Sequence, residues 1–62
     1  MEIQKVDAAN YPTLKPGEHY THQYSSGRHC GIGCNAKGEI LKTGTYKNQS
    51  SAKRAIKQAI AQ

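Results

Sequence analysis

From Ser50 onward the sequence reads SSAKRAIKQAIAQ, which predicts an amphipathic helix with a serine at its N-cap. Its apolar residues recur at helical spacing: Ala52, Ala55, Ile56, Ala59 and Ile60. Lys53, Arg54 and Lys57 point away from this stripe. Because most of the stripe is alanine, the helix can lie close to a sheet.

Three segments upstream predict strands. EHYTHQY and RHCGIGC alternate with the two-residue period of a strand, and EILKTGTY has a mixed pattern. The turn signals SSG and NAKG separate them. The order predicts an α+β fold, in which a three-stranded antiparallel sheet is covered on one side by the C-terminal helix, βββα. The side chains expected between helix and sheet are Tyr20, Tyr24, Ile32 and either Leu41 or Ile40.

We predict that residues 1–17 form an N-terminal arm and that residues 18–62 form the βββα domain. The arm has weak periodicity and two prolines, with an extended piece around Ile3 to Val6. KPG fits a tight turn with Pro16 at the second position and Gly17 at positive φ. The arm is expected to be ordered only where it docks against another part of the protein or a partner.

The stretch NAKGEILKTGTYKNQSSAKRAI resembles one repeat unit of the YegP-like family of small bacterial proteins. It has the Asn before a Gly-Glu-Ile turn, the strand ending in Gly-x-Tyr, the serine-rich break and the Ala/Ile helix. The resemblance, over residues 18–60, implies a βββα unit paired in tandem or as a homodimer, and does not point to an enzyme. RHCGIGC departs from the family's alternating large apolar residues. The predicted order of three strands and a C-terminal helix is also similar in topology to the arm-binding domains of tyrosine recombinases.

The cysteines and histidines include the ligand types of zinc: His19, His22, His29, Cys30 and Cys34. In an extended segment, Cys30 and Cys34 would lie about 13 Å apart, at roughly 3.3 Å per residue. That distance excludes a shared zinc ion and a disulfide, whereas a loop at the two glycines would permit either. We predict buried cysteines that act as small apolar side chains, with no metal and no other cofactor.

Catalytic patterns are weak in this chain. Adjacent His29 and Cys30 would point to opposite faces of a strand, and no acid lies near in sequence to orient the imidazole. We therefore predict a protein without enzymatic activity. Gly31 and Gly33 leave a flat strip where a backbone, a base or a second sheet can approach closely; the alternative is a bulge or twist.

The charge balance indicates acidic partners. Nine Lys and Arg against four acids give a formal charge of +5, which favours nucleic acid or an acidic protein surface over a merely solvated exterior. The first hypothesis is a small basic module that binds nucleic acid through the sheet and its flanking basic residues. Its expected phosphate contacts are Arg28, Lys37, Lys42 and Lys47, with His29 or Tyr46 as stacking groups. The alternative is a protein-interaction module, such as a phage or mobile-element accessory factor that binds or inhibits a host protein.

The cellular location and the oligomeric state can also be predicted from the sequence. No apolar run approaches the roughly 20 residues of a membrane span, and MEIQKVDAAN lacks signal-peptide features, so we expect a cytoplasmic protein with no membrane partner. A chain this short buries only about 60% of its unfolded surface. With one sheet face predicted to lack a helix, we expect a homodimer.

Overall fold

The computed structural model describes residues 3–61. Its elements are β1 (Ile3–Val6), a 3₁₀ turn (Ala8–Asn10), β2 (His19–Gln23), β3 (His29–Cys34), β4 (Ile40–Thr43) and α1 (Gln49–Ile60). The strands form one antiparallel sheet in the order β1-β4-β3-β2, and α1 packs across one face, mainly on β3. Residues 1 and 2 of the predicted arm and residue 62 of the predicted domain lie outside the described residues.

The α+β class and the C-terminal helix are confirmed, but the prediction of three strands is wrong. The extended piece Ile3–Val6 is a fourth strand, in which Ile3 lies opposite Thr43 and Val6 opposite Ile40. Its four residues are too few to establish a period by themselves. Pairing with β1 satisfies backbone groups of β4 that would otherwise form an exposed edge.

The connection from β1 to β2 crosses the sheet. These strands occupy opposite edges, so residues 7–18 must traverse the face opposite α1. Tyr11 and Leu14 of this segment pack against the buried residues of that face. The face predicted to be open is therefore covered in part by the chain's own arm, and it no longer supplies the argument for a dimer.

Two predicted turns form as their sequences indicate. In KPG, the Glu18 N–H donates to the Lys15 carbonyl at 2.9 Å and Gly17 has φ 89°. In NAKG, the Gly38 N–H donates to the Asn35 carbonyl at 3.0 Å and Gly38 has φ 84°. Both glycines adopt the left-handed conformation that a Cβ would penalise.

The helix rests directly on the backbone of β3. A Cβ added to Gly31 would lie 2.6 Å from the Ile56 Cβ and 2.7 Å from the Ala52 carbonyl oxygen. A Cβ at Gly33 would lie 2.9 Å from the Ile56 Cγ1 and 3.0 Å from the Ile60 Cγ2. The two glycines thus face α1 and set its close approach to the sheet.

This packing corrects the residues predicted between helix and sheet. Leu41, opposite Gly33, lies on the helix side. Ile32 and Ile40 belong instead to a second buried cluster on the far side of the sheet, against which Tyr24 packs. Tyr20 pairs with Ile32, shares its face and is exposed. A period of two shows which residues share a face, but it does not show which face the helix covers.

The second cluster contains both cysteines. Its buried members are Cys30, Ile32, Cys34 and Ile40, with Val6, Tyr11, Leu14 and Tyr24 packed against them. Cys30 and Cys34 are free thiols that are buried on strand β3. The prediction that they act as small apolar core residues is confirmed.

The helix begins at Gln49, earlier than predicted, and its N-cap is Asn48 rather than a serine. The Asn48 Oδ1 accepts a hydrogen bond from the Ser51 N–H at 3.1 Å. We expect Asn48→Ala to lower the free energy of unfolding by about 1 kcal/mol in urea denaturation followed by circular dichroism. Ser51→Ala, a control at an exposed position that keeps the capped backbone N–H, should cost less than about 0.5 kcal/mol. Equal losses would contradict the assignment of Asn48 as the cap.

Candidate nucleic-acid interface

The acidic residues within the described part of the chain lie together at one end of the sheet. Asp7 follows β1 and Glu39 precedes β4, and these strand ends pair with each other. The Glu18 carbonyl accepts a hydrogen bond from the Cys34 N–H at 2.9 Å, at the end of β3. All three acids within residues 3–61 therefore occupy the end where β3 finishes and β4 begins, which we call the acidic end.

Lysines neutralise part of the acidic end. The Lys5 Nζ lies 2.8 Å from the Glu39 Oε2, and the Asn35 Nδ2 donates to the Glu39 Oε1 at 3.0 Å. The hydrogen bond from Lys5 has the largest effect in holding the pKa of the Glu39 carboxyl below its ordinary value, and the hydrogen bond from Asn35 has the next largest. The charge of Lys37 lowers this pKa further. Lys37, one of the predicted phosphate contacts, thus lies close to an acid.

At the end of the sheet opposite the acidic end, a β-bulge follows strand β4. His29 bridges Tyr46 through hydrogen bonds of 2.9 Å and 2.7 Å, while the Gly31 N–H donates to the Thr43 Oγ1 at 2.8 Å. One residue separates His29 from Gly31, but two separate Thr43 from Tyr46. The extra residue lets the chain after β4 turn new side chains toward this end.

The bulge holds Arg28 in place. The Arg28 Nε donates to the Thr45 Oγ1 at 2.9 Å, and its Nη2 donates to the Thr45 carbonyl at 3.4 Å. Arg28 is exposed, so its other guanidinium N–H groups face solvent. Of the predicted site residues, the structure brings together four: Arg28, His29, Tyr46 and Lys47.

Helix α1 places one cation, Arg54, next to this group. Tyr46 is half-buried and lines a shallow cleft of about 240 Å³ with Ser51, Arg54, Ala55 and Gln58. Lys53, Arg54 and Lys57 are exposed on the outer side of α1, which contains no acidic residue. We call the following five exposed residues the basic surface: Arg28, Lys47, Lys53, Arg54 and Lys57.

Lys42 and Lys37 lie away from the basic surface. Lys42 pairs with Ile32, so its side chain projects from the face opposite α1, where its Nζ lies 5.7 Å from the centre of the Tyr24 ring. The Tyr24 side chain raises the pKa of the Lys42 ammonium above its ordinary value. Lys37 follows β3 whereas Arg28 precedes it, and the six residues of β3 span about 20 Å.

The three cations of α1 were not among the predicted site residues. Lys53, Arg54 and Lys57 were predicted only to point away from the apolar stripe of the helix. One signal was available, since the helical segment carries three basic residues and no acid. The position of Arg54 beside Tyr46 was not visible in the sequence, because it depends on the direction in which α1 crosses the sheet.

The chain was compared with protein-family models, curated proteins and solved structures. None matches. The predicted membership of the YegP-like family gains no support, and the fourth strand and the crossing arm go beyond the βββα unit that it implied. The candidate interface is therefore defined by geometry alone.

The structure also bears on metal sites and membrane spans. Within residues 3–61, no three His, Cys, Asp or Glu side chains converge closely enough to hold a metal ion. The same part of the chain contains no helix with the length and apolar character of a membrane span.

Proposed function

We propose that this protein binds nucleic acid through the basic surface, by contacts with the phosphate backbone. The observation that carries the proposal is the distribution of charge: the three described acids lie at the acidic end, Arg28 and Lys47 lie at the opposite end of the sheet, and the exposed side of α1 carries three cations and no acid. Such an arrangement creates a positive potential that attracts a polyanion. Phosphate contacts give affinity without sequence preference.

The cations are arranged to act together. Lys53 and Lys57 are one helical turn apart, about 6 Å along the axis, and Arg54 lies beside them. Arg28 is already held by Thr45, so it loses little conformational freedom when it binds a phosphate. These positions provide several simultaneous phosphate contacts.

Tyr46 supports a secondary contact with an unpaired base. Its ring is half-buried in the cleft beside Arg54. Aromatic rings next to a basic groove serve as stacking platforms for bases in single strands. The contact is made by the helix and the end of the sheet, because the arm and α1 cover the two faces of the sheet.

A salt titration tests this proposal. Affinity for a labelled duplex, measured by fluorescence anisotropy, should fall with salt at a log–log slope of roughly −4, since each phosphate contact contributes about −0.9. Arg54→Ala and Lys57→Ala should each flatten the slope by about 0.9, on duplexes of unrelated sequence alike. The slope responds to local contacts more specifically than affinity does.

Lys37→Ala and Lys42→Ala are the matched controls, because each removes the same charge away from the basic surface. We expect them to leave the slope unchanged. If Lys37→Ala flattened it as much as Arg54→Ala, net charge alone would explain the binding. Failure to bind any duplex or single strand at about 50 mM salt would contradict the proposal and favour an acidic protein partner.

A further inference from the structure

Strand β2 forms an outer edge of the sheet with backbone groups turned away from it. Two hydrogen bonds fix the alternation of its ladder with β3: Cys34 N–H to Glu18 carbonyl at 2.9 Å, and Tyr24 N–H to Arg28 carbonyl at 2.8 Å. Hydrogen-bonded and non-hydrogen-bonded pairs alternate along an antiparallel ladder. The residues whose N–H and carbonyl groups face outward are therefore His19, Thr21 and Gln23.

This edge lacks the features by which sheets discourage strand addition. All five residues of β2 pair with β3 in one continuous register, without a bulge, and the strand contains no proline and no lysine. The other outer strand, β1, carries the exposed Lys5, which is bound to Glu39. Lysines, prolines and bulges protect natural edge strands, so β2 is the edge open to another strand.

We propose that β2 pairs in antiparallel fashion with β2 of a second copy of this chain, centred on Thr21. In this register Thr21 lies opposite the partner's Thr21, and His19 lies opposite the partner's Gln23. Tyr20 lies opposite the partner's His22, which gives its exposed ring, 42% accessible, an aromatic cross-strand neighbour. Three outward-facing residues per strand supply about six backbone hydrogen bonds.

The occupant is a second copy because the strand is complementary to itself. In HYTHQ, reversal about the central threonine places an aromatic residue opposite an aromatic residue, and a polar residue opposite a polar one. Chains of this size commonly need assembly to stabilise a thin core. The pairing is a small interface held largely by backbone groups, so we expect a dissociation constant of about 10 μM.

The dimer would place both helices on one side of a continuous sheet. A two-fold axis through the Thr21 pair is perpendicular to the sheet, so residues that face α1 in one copy face the same side in the other. The two β3 strands would be three strand spacings apart, about 14 Å, and the helices above them would extend the basic surface. The pairing itself does not depend on the proposed nucleic-acid binding.

A cross-linking experiment tests the register. In Thr21→Cys the two introduced thiols would lie at the axis, with Cα atoms about 5.5 Å apart, within the range of a disulfide. The native Cys30 and Cys34 are 0% and 2% exposed and do not compete. We expect mild oxidation to convert most of this variant into a disulfide-linked dimer.

Gln23→Cys is the matched control, because its two copies would lie about 14 Å apart, four residue steps along the strands. It should remain monomeric on a denaturing gel. Sedimentation equilibrium of the unmodified chain at about 100 μM, without nucleic acid, should show a mass approaching twice that of the chain. A chain that stays monomeric there, or a dimer whose Gln23→Cys variant cross-links as readily as Thr21→Cys, would overturn the proposal.

Discussion

Replacing Gly31 with alanine is expected to remove a large part of the protein's free energy of unfolding. The new Cβ would lie 2.6 Å from the Ile56 Cβ and 2.7 Å from the Ala52 carbonyl oxygen. Both atoms are fixed to the backbone of α1, so no rotamer change relieves the overlap and the helix must move off the sheet. Overpacking that shifts backbone typically costs about 1 to 3 kcal/mol and occasionally more, and two such short contacts with atoms that cannot rotate away place Gly31→Ala at the upper end of that range or above it. A domain of this length has a total stability of only about 3 to 9 kcal/mol.

Circular dichroism and urea denaturation measure this loss, and Gly33→Ala is its control. The Cβ of Gly33→Ala would meet the side-chain atoms Ile56 Cγ1 at 2.9 Å and Ile60 Cγ2 at 3.0 Å, which can move by small rotations, and the His19 Cβ at 3.0 Å, on the outer strand β2, which must shift only slightly. We expect it to cost about 1 to 2 kcal/mol. If Gly31→Ala proved as stable as the unmodified chain, α1 would not rest on β3 as described.

The same glycines show where prediction from sequence reaches its limit. The alternation in RHCGIGC correctly places Cys30, Ile32 and Cys34 on one face and the glycines on the other. The apolar face was expected to receive the helix, since burial of apolar side chains drives packing. The arm buries that face instead, and the glycine face allows an alanine-rich helix to come close.

The arm illustrates a second limit. Its turn at Pro16 and Gly17 follows from local backbone preferences and is readable in the sequence. Its path across the sheet depends on β1 and β2 occupying opposite edges, which is a property of the whole topology. Tyr11 and Leu14 have no periodic neighbours, so nothing local predicted that they cover the cysteine face.

For the candidate site, the types of the binding residues were predictable from the sequence, but which of them lie close together in space was not. Arg28 and Thr45 are distant in sequence, and the bulge after β4 brings them into hydrogen-bond contact. A pattern of strand alternation does not predict an inserted residue. Likewise, Lys42 was expected to contact a partner, whereas its ammonium lies against Tyr24 within the molecule.

Ile56→Ala is the other substitution for which we expect a large effect, a loss of about 3 to 4 kcal/mol in the free energy of unfolding. Ile56 is 0% exposed and is the largest fully buried side chain among the described residues. It packs over Gly31 and Gly33, which have no side chains that could move into the vacated space. The cavity would therefore persist, and a persistent cavity increases the cost of removing buried methyl groups.

Urea denaturation of two companion variants checks this expectation. Ile60→Ala removes the same atoms from a half-buried position at the end of α1, where solvent can fill the gap, and should cost about 1 to 2 kcal/mol. Lys57→Ala, on the exposed side of the same helix, should cost less than about 0.5 kcal/mol. An equal loss for Ile56→Ala and Ile60→Ala would mean that the space above the glycines collapses on truncation. A larger loss for Lys57→Ala would mean that α1 presents its other face to the sheet.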